Sequence, residues 1–273
     1  MNVVAWLGPA APFQAPGWTP PDGAKVLNLQ CKGDGSPPCS TIAELWTDEA
    51  GRKIPNMLRA GGVSPETVGE VMLNAFSAGG SSTKRLLLSA EDRAQVPVVV
   101  LCDGTYTSWR KKGEPDPPEG FVRYGLDAIT GPRLFVAMST SVPNKDQPNG
   151  SQTLEATKNE IEKRSGQKFE EGGTLPGVPI QPERLWRLGN IVFADYGKRV
   201  GHGDTVSKLA TPVWETIVKP WLVTRAPAPP VPGPLPGPVP EEPSQWPFYV
   251  AMAVGALAGY VGTRYWQKQK RPA

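Results

Sequence analysis

Residues 71–80, Val-Met-Leu-Asn-Ala-Phe-Ser-Ala-Gly-Gly, carry the clearest structural signal of the sequence. The first half is an apolar run typical of a buried strand, and a helix-length amphipathic segment, 81–88, follows the glycines. A sharp strand-to-helix turn has a crowded backbone and needs small residues on both sides of its tip. Ala75 and Gly79 meet that need, although Ala75 stands where glycine is commoner. The pattern predicts a turn that exposes the hydroxyl of Ser77, a geometry suited to a nucleophile.

Short apolar runs elsewhere in the chain predict the other strands of a sheet. They lie at 3–7, 26–29, 98–102, 134–138 and 191–194, and helical patterns at 152–164 and 205–222 accompany them. Continuous apolar strands that alternate with helices indicate an α/β fold, with a mostly parallel sheet and helices on both faces.

Two long segments rich in Gly and Pro, 104–133 and 170–182, are predicted to be loops at the rim of a site. The first loop contains aromatic residues that could line an apolar rim, and a plain surface loop is the alternative. These aromatic residues are Tyr106, Trp109, Phe121 and Tyr124.

The chain has one histidine, so any mechanism that uses an imidazole must use His202, and a site with several histidine ligands is excluded. A serine nucleophile needs a base and a carboxylate that orients the base, and in open α/β sheets these groups follow the carboxyl ends of strands. Asp103 directly follows the strand 98–102. His202 lies in the loop after the strand 191–194 and has a glycine on each side. We therefore expect a catalytic set of Ser77, Asp103 and His202.

Two parts of this site stay open at the level of sequence. Asp195 and Asp204 are rival candidates for the acid, and Asp204 could instead cap the last helix. An oxyanion hole needs two backbone N–H groups. We expect one from Ala78 and the other from the loop after strand 26–29, where Gly33 permits a close approach; an ordinary surface turn is the alternative there.

Composition limits the remaining chemistry. Net charge is +3 and the basic residues are scattered, which argues against a nucleic-acid partner. The three cysteines include no Cys-x-x-Cys pair that would suggest a metal site. Cys31 and Cys39 flank a short Gly/Pro loop and either form a disulfide in an oxidising compartment or remain free, whereas Cys102 ends an apolar strand and is expected to be buried.

The sequence divides into a globular domain at 1–225, a Pro-rich linker at 226–245, an apolar segment at 246–266 and a basic tail at 267–273. The linker is expected to be an extended spacer. The apolar segment, from Trp246 to Trp266, predicts a single transmembrane helix, since its uncharged run is close to the about 18 residues that a span requires. The spacing of Gly255, Gly259 and Gly262 favours self-association of this helix.

The membrane orientation is left open by two opposing signals. Basic residues after the apolar segment place the C-terminus in the cytoplasm and the globular domain outside. The first residues of the chain, however, lack the basic and apolar regions of a signal peptide.

The segment AFSAGGSSTKRLLLS followed by VPVVVLCDGTY resembles the α/β-hydrolase superfamily of serine esterases. In size and in lacking a large inserted cap, the chain is similar to cutinases and to phage lysins that cleave mycolyl esters. The resemblance spans residues 26–222 and implies an α/β-hydrolase fold and ester hydrolysis through an acyl-enzyme, with an acyl-chain ester as substrate and no cofactor. The alternative is an inactive hydrolase-fold module that serves as a structural or binding component on a membrane or virus particle.

Overall fold

The computed structural model describes residues 1–9, 15, 17–31, 39, 42–142 and 147–225. The predicted Pro-rich linker, transmembrane helix and basic tail lie outside the described residues, as does Gly33. Within these described residues, ten strands form in chain order: β1 (Val3–Gly8), β2 (Lys25–Gln30), β3 (Val71–Phe76), β4 (Val98–Cys102), β5 (Trp109–Lys111), β6 (Glu114–Pro115), β7 (Leu134–Ser139), β8 (Glu170–Glu171), β9 (Arg184–Leu188) and β10 (Ile191–Asp195).

In the described part of the chain, six α-helices precede a long helical stretch at 205–224. They are α1 (Ile42–Leu45), α2 (Ile54–Ala60), α3 (Gly79–Leu86), α4 (Ala90–Ala94), α5 (Glu119–Thr130) and α6 (Gly150–Ser165), and a 3₁₀ turn occupies Pro65–Thr67. In the final stretch, Thr205–Ala210 and Trp214–Val218 are wound as π-helix, whereas Thr211–Val213 and Lys219–Thr224 are α-helical.

The main sheet has eight strands in the order β2-β1-β3-β4-β7-β10-β9-β8. The strands from β2 to β10 in that order are all parallel, and β9 and β8 add to the edge in antiparallel pairing. The prediction of a mostly parallel sheet is therefore confirmed. Since β3, β4, β7 and β10 are parallel neighbours, the loops that follow them meet at one edge of the sheet.

Successive side chains of each buried strand point to opposite faces of the sheet, so both faces are apolar and both are covered. Val99 and Leu101 of β4 belong to a core that includes residues of α2, α3, α5 and α6. Val98 and Val100 belong to a second core, with Trp214 and other residues of the helical stretch 205–224. Helices thus cover both faces, as the sequence predicts.

The glycines after Ser77 let α3 pack directly against the strand ends. A Cβ on Gly79 would lie 2.1 Å from the carbonyl oxygen of Leu7 at the end of β1, and one on Gly80 would lie 1.6 Å from that of Gly104. Any side chain at these positions would collide with backbone. The pair Gly79-Gly80 therefore lets the start of α3 pack against the end of β1 and the loop that follows β4.

The segment 104–133, expected to be a loop, contains the hairpin β5–β6 and the helix α5. Phe121 and Tyr124 lie in the buried core, so the expectation that they line an exposed rim is wrong, whereas Tyr106 and Trp109 are partly exposed. Apolar residues three and four apart give α5 a face that packs on the sheet, and this outweighs the Gly and Pro content of the segment.

Strand β9 was also missed by the sequence analysis. It forms a hairpin with β10 around Gly189 and Asn190, and Gly189 has a φ of 55°. A two-residue Gly-Asn loop between apolar runs is a recognised hairpin signal, because glycine accepts the positive φ that such turns need.

In the part of the chain that the structure describes, no helix combines the length and apolarity needed to cross a bilayer. The predicted span at 246–266 falls outside that part.

Candidate active site

Ser77 lies at the tip of the turn between β3 and α3, as the sequence predicts. Its φ is 51°, a left-handed conformation that is costly for a residue with a side chain. The turn is held because the Ser77 N–H donates to the Cys102 carbonyl at 3.2 Å and the Gly80 N–H donates to the Ser77 carbonyl at 3.0 Å. This is the strained strand-to-helix turn that presents a serine hydroxyl at a sheet edge.

Asp103 follows the neighbouring strand β4 and has a φ of 48°. Ser77 and Asp103 are the only non-glycine residues with positive φ in the described part of the chain. The carboxylate of Asp103 is fully buried and accepts several hydrogen bonds. Its Oδ1 accepts from the Thr140 N–H at 3.0 Å, and its Oδ2 accepts from the Thr140 hydroxyl at 2.5 Å and from the Tyr106 hydroxyl at 3.3 Å.

The first turn of α6 closes the pocket around the Asp103 carboxylate. A Cβ on Gly150, the first residue of α6, would lie 2.3 Å from Asp103 Oδ1. The carboxylate thus lies beside the N-terminus of a 16-residue helix, where the helix dipole favours negative charge. The donors from Thr140 and Tyr106 compensate for the burial of the carboxylate.

The imidazole of His202 lies against this carboxylate. His202 Nδ1 is 2.6 Å from Asp103 Oδ2, and its side chain is 31% exposed. An ionised carboxylate only accepts hydrogen bonds, so Nδ1 carries the proton and Nε2 is left as the basic nitrogen. The ring also stacks on Phe76, with centroids 4.6 Å apart and planes 28° apart. Phe76 precedes Ser77, so the imidazole lies beside the turn that carries the serine.

The hydroxyl of Ser77 and the imidazole of His202 are not hydrogen-bonded to each other in the described structure. The main chain at Ser77 and the Phe76–His202 stack place both residues at the same edge of the sheet. In structures without substrate, the hydrogen bonds of a catalytic set are often long or poorly aligned.

The two rival carboxylates have other partners. Asp195 is buried and accepts from the Arg184 guanidinium at 2.7 Å and from the Ser151 hydroxyl at 2.5 Å, so it belongs to a separate ion-paired network. Asp204 accepts from the Gly201 N–H at 2.9 Å and pairs with Lys208 at 3.0 Å, and these contacts lower the pKa of Asp204. Asp204 therefore holds the turn that carries His202, and its side chain makes no cap to the following helix. Of the three carboxylates, Asp103 is the partner of His202.

Ala78 lies directly before α3, so its N–H stands beside Ser77 at the start of that helix. The second donor was expected from the loop after β2, but β1 lies between β2 and β3 in the sheet. The strand whose end contacts α3 is β1, through Leu7. Gly33 is outside the described residues, and its expected role stays a prediction.

The loops around the site contain two residues whose role the sequence analysis missed. Thr140, directly after β7, donates to both oxygens of Asp103, and Tyr106 contacts both Asp103 and His202. The position of Thr140 at the end of a buried strand was an available signal. The contact of Tyr106 with His202 joins segments 96 residues apart, so no local sequence pattern indicates it.

Comparisons with known proteins give little to add to this geometry. No protein-family model matches the chain, and no significant match was found among curated protein sequences. Among solved structures, the chain is similar to an acetyl xylan esterase from Aspergillus awamori, with 13% sequence identity, a TM-score of 0.37, and coverage of 74% of this chain and 83% of that one. The function of the chain is therefore inferred from its own residues.

Proposed function

We propose that this protein is a serine hydrolase that cleaves carboxylic esters, with Ser77 as nucleophile, His202 as general base and Asp103 as the residue that orients His202. The observation that carries the proposal is the contact between His202 Nδ1 and the buried Asp103 carboxylate, beside a serine with φ of 51°. Strained residues persist only where surrounding structure maintains them, and they are common at active sites. Here both strained residues belong to the proposed catalytic set.

The proposed reaction has two halves. His202 Nε2 removes the hydroxyl proton as Ser77 Oγ attacks the ester carbonyl, and a tetrahedral oxyanion forms. The N–H of Ala78 is the proposed donor to that oxyanion. When the intermediate collapses, the imidazolium returns the proton to the leaving alcohol and an acyl-serine remains. Water then attacks the acyl carbonyl as His202 Nε2 takes one of its protons, and the second tetrahedral intermediate collapses. The imidazolium returns that proton to the departing Ser77 Oγ, so the carboxylic acid is released and both residues are restored.

The proposed substrate is a lipid or cell-envelope ester, and the protein is proposed to act from a membrane. Residues 226–245 would be an extended spacer and 246–266 the membrane helix, as the sequence predicts. Cys31 and Cys39 form a disulfide in the structure. Disulfides persist mainly in oxidising compartments, so this bond favours placing the domain outside the cytoplasm.

The absence of a hydrogen bond between Ser77 and His202 in the described structure favours a second candidate, an inactive hydrolase-fold module. Such a module would retain the fold and use its surface for binding or assembly. We rank it lower because Ser77 and Asp103 have strained backbone conformations, which lower the stability of the fold. An inactive module would have no need to keep that strain.

A hydrolysis assay with esters of increasing acyl length tests the leading proposal. The wild-type full chain is expected to release acid and alcohol from at least one ester, and Ser77→Ala is expected to remove that activity. Ser81→Ala is the matched control, because Ser81 follows Ser77 by four residues, lies in the first turn of α3 and, like Ser77, is only partly exposed. If no ester is cleaved by the wild-type protein, or if Ser77→Ala cleaves as fast, the inactive module is the better account.

A further inference from the structure

Tyr106 lies at the contact between Asp103 and His202. Its hydroxyl is 3.3 Å from Asp103 Oδ2 and 3.2 Å from His202 Nδ1, so three polar atoms form a closed triangle. Its ring is tilted against the imidazole with centroids 6.0 Å apart, whereas Phe76 stacks on the imidazole. Two aromatic rings and one carboxylate thus surround His202.

The segment that carries Tyr106 is fixed at two points. The Thr105 hydroxyl donates to the Gly150 carbonyl in α6 at 3.1 Å, and Lys84 Nζ of α3 donates to the Tyr106 carbonyl at 3.2 Å. The backbone at Thr105 and Tyr106 is therefore held by α6 on one side and α3 on the other, which suits a residue that must hold a neighbour in place.

The direction of the hydrogen bond follows from the groups involved. Asp103 Oδ2 is an acceptor, so the single proton of the Tyr106 hydroxyl points at Asp103. Burial, and then the negative charge of Asp103, raise the pKa of Tyr106, so the hydroxyl remains protonated and remains a donor. A donor to the carboxylate withdraws part of the charge that would otherwise stabilise a protonated His202.

We propose that Tyr106 is a positioning residue that holds the imidazole of His202 and, by donating to Asp103, makes His202 a weaker base than the Asp103–His202 pair alone would. The effect on the imidazole does not depend on the proposed function; only its consequence for catalysis rests on that function. The other charged groups near His202 have partners of their own. Asp204, two residues from His202, is paired with Lys208, and Lys84 donates to the backbone carbonyl of Tyr106.

The single histidine makes a direct test possible, since every imidazole signal from the full chain comes from His202. The test is an NMR pH titration of the wild-type protein and of the Tyr106→Phe variant, both made with isotope-labelled histidine. The Tyr106→Phe substitution keeps the aromatic ring and removes the hydroxyl. Tyr106→Phe is expected to move the titration midpoint of the imidazole upward by about half a unit or more. The control is Tyr196→Phe, since the buried Tyr196 hydroxyl has no hydrogen-bond partner among the described residues; its midpoint should match the wild type.

A midpoint in Tyr106→Phe that is unchanged or lower, in a protein with the wild-type circular dichroism spectrum, overturns the proposal. This readout needs no catalytic activity. If Ser77 proves not to be a nucleophile, the shift should still occur, so failure of the esterase proposal and failure of the Tyr106 proposal are separable. In an active enzyme, Tyr106→Phe should also lower kcat with little change in KM, and the acid limb of kcat/KM should move with the imidazole.

Discussion

Asp103 Oδ2 and His202 Nδ1 lie 2.6 Å apart, although the two residues are 99 positions apart in the sequence. The carboxylate is fully buried and the histidine side chain is 31% exposed, so the imidazole extends from a buried acceptor toward solvent. The edge of the ring that carries Nδ1 is held by the buried carboxylate. This arrangement gives a serine hydrolase its oriented base.

Replacement of the carboxylate separates catalysis from stability. Asp103→Asn is expected to lower kcat by about 10³–10⁴-fold, because an amide no longer enforces the required histidine tautomer. Asp195→Asn is the control: it loses the charge paired with Arg184 and should lower the free energy of unfolding by about 2 kcal/mol, with kcat of the folded protein unchanged. Steady-state ester hydrolysis and urea denaturation measure the two effects, and equal kcat values for the two variants would contradict the assignment of the acid.

Gly150 is expected to be required for the geometry of Asp103. In Gly150→Ala, the new Cβ would lie 2.3 Å from Asp103 Oδ1 and must displace the carboxylate, so kcat should fall and unfolding should become easier by about 1–3 kcal/mol. Gly166→Ala, at the other end of α6, places a Cβ in open space at a φ of 71°. It should lower stability by about 1 kcal/mol and leave kcat unaltered. An active, fully stable Gly150→Ala would show that the helix start is not in contact with the carboxylate.

Backbone strain at Ser77 is expected to lower the stability of the folded protein. Ser77→Gly and Ser77→Ala both remove the hydroxyl, but only glycine adopts a φ of 51° without strain. Ser77→Gly is expected to unfold at a higher denaturant concentration than Ser77→Ala, with a difference of about 1 kcal/mol, and both should be inactive. Equal stability of the two variants would mean that the turn is relaxed in solution.

The cysteines are expected to differ in their reaction with an alkylating reagent. Cys31 and Cys39 are disulfide-bonded, and Cys102 is a buried thiol whose pKa is raised by burial and then by the charge of Asp103. Mass spectrometry should find no alkylation of the native protein, one adduct after unfolding without reductant, and three after unfolding with reductant. Three adducts without reductant would contradict the disulfide.

The sequence predicts the parallel strands and the strand-to-helix turn well, because long apolar runs and the pattern around Ser77 are local signals. It does not predict α5, whose helical face at Phe121 and Tyr124 lies in a segment dominated by Gly and Pro signals. The hairpin at Gly189 has a recognisable local turn signal, the dipeptide Gly-Asn.

The sequence predicts those residues of the candidate site that follow a predicted strand in the expected chain order. Asp103 and His202 each follow a buried strand, and the structure brings them together. The contacts of Thr140 and Tyr106 depend on how loops and α6 pack, which no local pattern encodes. The choice among three carboxylates likewise depends on partners, Arg184 for Asp195 and Gly201 for Asp204, that become visible only in three dimensions.

The proposed function requires that the imidazole of His202 activate the hydroxyl of Ser77. The most direct measurement is labelling of the full chain with a fluorophosphonate probe, followed by peptide mass spectrometry. We predict one adduct on Ser77 in the wild type, none in Ser77→Ala, and a strongly reduced labelling rate in His202→Ala. A folded wild-type protein that takes up no probe, or that is labelled equally fast in His202→Ala, would contradict the claim.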